Sequence, residues 1–232
     1  MIELRPFGDL GGGDFGWLKA HHHFRVSPSG NPSHRAVGNL YVWNDDDLAP
    51  GTGFPLHSHK DVEIVTYVRE GLVLHTDSTG GIGRIPAGDV QVMSAGTGIQ
   101  HSESSAPDQR TKIFQIWLNP RSRGGEPRWD TKPFPKGERD GRFVVLASGW
   151  VEDEGAISIR ADARVIGATL SGGQNLTYEL APGHQAYLVP ASGQIRLNGI
   201  VVNARDGAVV SGESYMDIEA LEASEIVWVD VL

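Results

Sequence analysis

Turn-forming residues punctuate this chain at short intervals, roughly every 8–12 residues through its first half. Gly51-Thr52-Gly53-Phe54-Pro55, Glu70-Gly71, Ser78-Thr79-Gly80-Gly81, Pro86-Ala87-Gly88-Asp89 and Gly96-Thr97-Gly98 are the clearest. Between them lie short runs rich in β-branched and aromatic residues. Glu63-Ile64-Val65-Thr66-Tyr67-Val68, Val90-Gln91-Val92-Met93 and the segment Lys112 to Leu118 are such runs, and Leu72 to His75 reads as a return strand. Residues 38–48 read as a strand that runs into an acidic turn at Asn44-Asp45-Asp46-Asp47. Helical periodicity is scarce. The spacing predicts an all-β chain of many short strands, a sandwich or a barrel. The 30 glycines and 13 prolines agree with so many tight turns.

With 232 residues the chain has room for one large β-domain or two small ones. Its formal charge of −9, with 20 basic and 29 acidic residues and no long basic run, argues against nucleic acid as a direct ligand. No apolar stretch approaches 18 residues and no signal-peptide pattern opens the chain, so it reads as cytoplasmic, without a membrane span. Cysteine is absent. That removes disulfides, thiol catalysis and thiolate ligands together, so a bound metal would be held by nitrogen and oxygen.

Two short runs carry most of the chemistry: His57-Ser58-His59 and His101-Ser102-Glu103. Each has the form ligand-x-ligand. On a strand, alternate side chains share a face, and residues two apart stand roughly 6.6 Å apart, so both members of a run can converge on one ion. Three imidazoles with one carboxylate suit Fe(II), Mn(II), Ni(II), Cu(II) or Zn(II), and not Ca²⁺ or Mg²⁺. A single His-x-His is common by chance. Two runs in β-patterned segments, each preceded by turn glycines, are much harder to obtain that way. The lone His75 and His184 read as surface or satisfied core residues, and Gln115 has the strand parity to face the same pocket.

Residues 119–141, rich in proline, glycine and charge, read as an extended linker. Beyond it the pattern repeats weakly. Val65-Thr66-Tyr67-Val68 aligns with Tyr187-Leu188-Val189-Pro190, Gly71 with Gly193, and the turn around Asp89 with that around Asp206. On this alignment His57 and His59 fall on Glu179 and Ala181, and His101 and Glu103 on Ile218 and Ala220. The second copy therefore lacks the site. The predicted division is 1–130 for a metal-binding domain and 131–232 for a metal-free one.

Gly53-(x3)-His57-x-His59-(x3)-Glu63-(x7)-Gly71 resembles the first cupin motif, and Pro86-x-Gly88-Asp89 followed by His101 resembles the second. The stretches His57 to Gly71 and Met93 to Glu103, the strand Gln115-Ile116-Trp117, and Gly16-Trp17-Leu18 through His22 and Phe24 resemble the pirin family. The likeness is specific over about residues 15–130 and loose afterwards. It implies a bicupin, two cupin-type β-barrels, with one mononuclear metal, usually iron, in the N-terminal barrel and a degenerate C-terminal barrel. It also implies Glu103 as fourth ligand beside His57, His59 and His101. Bacterial pirins are associated with quercetin 2,3-dioxygenase activity, and animal pirins with redox-responsive control of transcription. The C-terminal half here is shorter than in animal pirins.

Four ligands leave one or two positions open on an octahedral metal, where a substrate and O₂ could meet. A flavonol could ligate through its deprotonated 3-hydroxyl, with Glu103 or Glu63 as the base. The reading that follows is a mononuclear, metal-dependent dioxygenase, with Fe(II) first among the metals and Zn, Ni, Mn and Cu open. It would act as a monomer on a small aromatic, flavonol-like substrate with O₂. The alternative is a metal-dependent, redox-sensing regulatory protein acting on a protein partner. A third is a non-oxidative cupin enzyme using Zn²⁺ or Mn²⁺.

Overall fold

In the computed structural model, which describes residues 1–26 and 30–232, the strands form four sheets, two to each of two cupin-type barrels. The first barrel has a seven-stranded sheet in the order Arg128–Lys132, Val90–Ser94, Glu63–Glu70, Thr111–Leu118, Leu40–Leu48, Leu18–His22, Gly11–Asp14. Facing it is a four-stranded sheet in the order Gly53–His59, Ile99–Ser105, Leu72–Asp77, Ile82–Pro86. The second barrel repeats the plan. Its larger sheet runs Ile2–Arg5, Gly207–Ser211, Gln185–Ser192, Ser224–Val231, Ala163–Leu170, Phe143–Ser148, Ile157–Ser158. Its smaller sheet runs Asn175–Glu179, Tyr215–Ala220, Ile195–Leu197, Ile200–Val202. The chain is thus an all-β bicupin.

The two large sheets pack back to back. Val65, Tyr67, Trp43 and Phe114 of the first share one core with Tyr187, Val189, Val227 and Val229 of the second. This explains why Glu63 to Val68 is buried without alternation. One face of the strand covers its own barrel and the other meets the neighbouring barrel, so both must be apolar or satisfied. The repeat is visible in detail at the hairpins. Gly71 and Gly193 both have positive φ, and a Cβ at either would fall within 2.4 Å of a backbone oxygen, Arg110 O or Ala223 O. Only glycine fits these two equivalent corners.

Three expectations change. The division at 130/131 does not follow the chain, because Arg128–Lys132 spans it as an edge strand of the first barrel. In addition, Ile2–Arg5 leaves the first barrel and pairs with Gly207–Ser211 of the second. The linker 119–141 is largely built in: Trp129 packs under the first barrel, Phe134 joins the shared core and Arg139 is buried. The acidic run 44–47 is not a turn but the continuation of strand Leu40–Leu48. Two of its three carboxylates are compensated there: Asp45 binds Arg69 and Arg205, and Asp47 accepts from Arg110 at 2.7 Å. Among the described residues, no helix is long and apolar enough to cross a membrane.

Candidate metal centre

Strands Gly53–His59 and Ile99–Ser105 pair antiparallel with His57 opposite His101. The register shifts between His101 and Glu103, so that Glu103 stands opposite Phe54. The bend before His101 depends on Gly96, whose φ is +50° and whose Cβ would lie 2.3 Å from Gly125 O. His57, His59 and His101 come together, with one ligand atom from each within 4.8 Å of the others. His57 Nδ1 lies 2.7 Å from Pro55 O and donates to it, which leaves the Nε2 lone pair facing the cluster. His101 Nε2 is 3.1 Å from that atom. His59 Nε2 is buried and has no hydrogen-bond partner among the described residues.

Glu103 meets the cluster through His101 and does not group with His57 and His59; its own group is His75, His101 and Glu103. It is 3% exposed, accepting from Gln115 Nε2 at 3.0 Å and also from Gln91 Nε2. Burial works to raise its carboxyl, but the neighbouring imidazoles of His75, His101 and His57 outweigh that and hold it below the usual value. His59 and His101 are each pushed down to about 4, by burial first, with the neighbouring rings adding to it and Glu103 opposing it. Both imidazoles are therefore neutral near pH 7, the state that binds a metal.

His75, read from sequence as a surface or satisfied core residue, is buried beside the site. Its Nε2 is 2.9 Å from Asp77 Oδ2 and its ring stacks on Trp129 at 4.7 Å. Its Nδ1 stands 3.9 Å from Glu103 Oε1, too far for a hydrogen bond but close enough to favour the carboxylate. Strand parity with buried Val73 was the available signal. Glu63 departs from its expected role as a base at the site. Its Oε2 accepts from Ser94 Oγ at 2.6 Å and from the backbone N–H of Arg160 at 3.1 Å, tying the barrels together. His184 is a satisfied residue, 2.6 Å from Asp230 Oδ1.

Asp46 also faces this interior, in register with Ala20 and Ile113. Burial, then the charges of Asp45 and Glu103, push its carboxyl up to about 8. At the cluster's outer side, an open cavity of about 340 Å³ is lined by Ser58, His59, Lys60, Thr97, Gly98 and Ile99, among others. In the second barrel the aligned positions carry no site. Ile218 and Ala220 are core residues and Glu179 is exposed. Among the described residues, both groups of three or more clustered ligand-type side chains lie in the first barrel.

The family model described as Pirin matches residues 5–118, and that described as Quercetinase C-terminal cupin domain matches residues 145–231. A pirin-like protein of Caulobacter vibrioides is 54% identical over 230 residues, 99% of each chain. This chain belongs to the pirin family. A quercetin 2,3-dioxygenase of Escherichia coli K12 is 33% identical over 232 residues, 100% of this chain and 99% of its own. The crystal structure of the bacterial pirin YhhW from Escherichia coli, in complex with nickel(II), superposes with a TM-score of 0.93 at 31% identity, covering 100% of this chain and 99% of its own.

Proposed function

We propose that this pirin is a metal-dependent dioxygenase that opens flavonols such as quercetin with O₂. It would hold one divalent transition metal, Fe(II) first among them, on His57, His59, His101 and Glu103. The observation that carries the proposal is the convergence of three imidazoles, with one ligand atom from each within 4.8 Å of the others. Two nitrogens bound at about 2.1 Å and about 90° to one ion stand about 3.0 Å apart, close to the separation between His57 Nε2 and His101 Nε2. His59 Nε2 is buried without a hydrogen-bond partner among the described residues, and a carboxylate held below its usual value stands beside His101. The donor set is nitrogen and oxygen, as a chain without cysteine requires. The relatives support the reaction class by name, and the nickel complex of YhhW supports a divalent ion by analogy.

When bound, the metal supplies a Lewis acid that favours the flavonol 3-olate and a redox-capable point at which O₂ can react. The protein's own part is orientation and proton transfer. Pro55 O fixes the His57 tautomer, and Trp117 packs edge-on against His59 at 5.0 Å. Of the two candidate bases, Glu103 is the one at the cluster, and it takes the 3-hydroxyl proton on a carboxylate oxygen. Quercetin's long-wavelength absorbance should then decay over many turnovers only with protein, metal and O₂ all present. Stoichiometric loss, or a rate matched by free metal, would refute the proposal. Full activity without O₂ would point to a non-oxidative enzyme.

A further inference from the structure

Glu103 is gripped from across the barrel by two side-chain arms of the same construction. In one, Trp117 Nε1 donates to Gln115 Oε1 at 3.0 Å, and Gln115 Nε2 donates to Glu103 Oε2 at 3.0 Å. In the other, Trp129 Nε1 donates to Gln91 Oε1 at 2.9 Å, and Gln91 Nε2 donates to Glu103 Oε1. An indole N–H can only donate. Each tryptophan therefore dictates which end of the glutamine amide faces the carboxylate. A flipped amide would set N–H against N–H at one end and oxygen against oxygen at the other. Each carboxylate oxygen receives one amide N–H and keeps a second lone pair. The tryptophans also touch histidines: Trp117 meets His59 edge-on at 5.0 Å, and Trp129 stacks on His75 at 4.7 Å.

The second barrel provides an internal comparison. In the first, Gln91, Thr66, Gln115, Asn44 and His22 stand directly opposite one another across five strands. In the second, the same row reads Ala208, Leu188, Trp228, Ile166 and Val145, all apolar. The barrel that has Ile218 opposite Leu197, where the first has Glu103 opposite His75, fills this layer with apolar side chains. Amides inside a barrel are costly unless paired. Here the two glutamine amides are paired and both pairings end on Glu103, whereas Asn44 Oδ1 in the same row has no partner among the described residues.

We propose that Trp117–Gln115 and Trp129–Gln91 are positioning arms that hold Glu103 in one orientation and thereby set the metal affinity of the site. The inference rests on Glu103 being a ligand. Trp117→Phe keeps an aromatic ring and removes only the N–H; Gln115→Leu removes the amide. Ni(II) affinity is measured by competition with a chromophoric chelator, with the metal-free melting midpoint recorded beside it. Partners that orient ligands typically cost about 10- to 100-fold in affinity when lost. Each single variant should fall in that range, and the double variant should be no weaker than Gln115→Leu alone, because both act through one amide. The Cu(II)-loaded single variants should share one altered EPR signature. Trp129→Phe and Gln91→Leu test the other arm in the same way and serve if the first pair folds poorly. Additive losses, or full affinity in Trp117→Phe and Gln115→Leu, would overturn the proposal. Glu103→Gln distinguishes the role of the arms from that of the ligand. If it alone weakens binding, the arms are wrong. If it binds Ni(II) as tightly as the parent, the ligand assignment itself is wrong.

Discussion

Asp46 offers a sharp physical test of the barrel interior. It is 2% exposed, and its Oδ1 has no hydrogen-bond partner among the described residues. Burial, followed by the charges of Asp45 and Glu103, pushes its carboxyl up to about 8, with Arg69 opposing. In the unfolded chain the same group ionises near 3.9. Between those values the folded state binds one proton more than the unfolded state, so stability falls as pH rises through the window. The slope is about 1.4 kcal/mol per pH unit, which amounts to about 4 kcal/mol between pH 4 and pH 7. Asp46→Asn keeps the shape and cannot ionise. Urea unfolding of the metal-free proteins at several pH values should show the variant's advantage over the parent widening by about 1.4 kcal/mol per unit from pH 5. The advantage should level off above about pH 8. A difference that stays constant from pH 5 to pH 8 would refute the reasoning, since it would mean Asp46 is ionised in both states.

Further outcomes follow from the same geometry. Glu103→Gln should lower metal retention after dialysis against a weak chelator. Glu63→Gln should keep the metal but lose about 1–3 kcal/mol of stability, because a buried acceptor for Ser94 and Arg160 is weakened. Since His59 and His101 are held near 4, Ni(II) should stay bound as pH falls through 6, where ordinary imidazoles take up protons. Metal release beginning at pH 7 would contradict that. Deleting residues 1–5 should uncover strand Gly207–Ser211 and remove Arg5, which donates to Arg35 O at 3.0 Å. A lower melting midpoint and concentration-dependent light scattering are expected from the open edge.

Local pattern carries much of this fold. Turn spacing and β-branched runs predict strands that the structure places at Glu63–Glu70, Val90–Ser94 and Thr111–Leu118. The weak repeat predicts a second barrel without the histidines, and Ile218 and Ala220 are indeed core residues there. What local pattern misses is whatever depends on long-range partners. The acidic run 44–47 looks like a turn until Arg69, Arg110 and Arg205 arrive from distant strands. Ile2–Arg5 gives no sign that its partner lies more than 200 residues away, at Gly207–Ser211. Motif spacing gives Glu63 the look of a site residue, but its strand faces the neighbouring barrel at that end, where Arg160 captures it. His75 reaches Glu103 only because the two are opposite in register, and register is not written in either segment alone.

One barrel should hold a metal and the other should not. Crystals grown with Ni(II), with data collected on both sides of the nickel absorption edge, test it directly. One anomalous peak per chain is expected, bounded by His57, His59, His101 and Glu103. A peak of equal height within residues 163–231, or a single peak with Glu63 in place of Glu103 among its ligands, would contradict it.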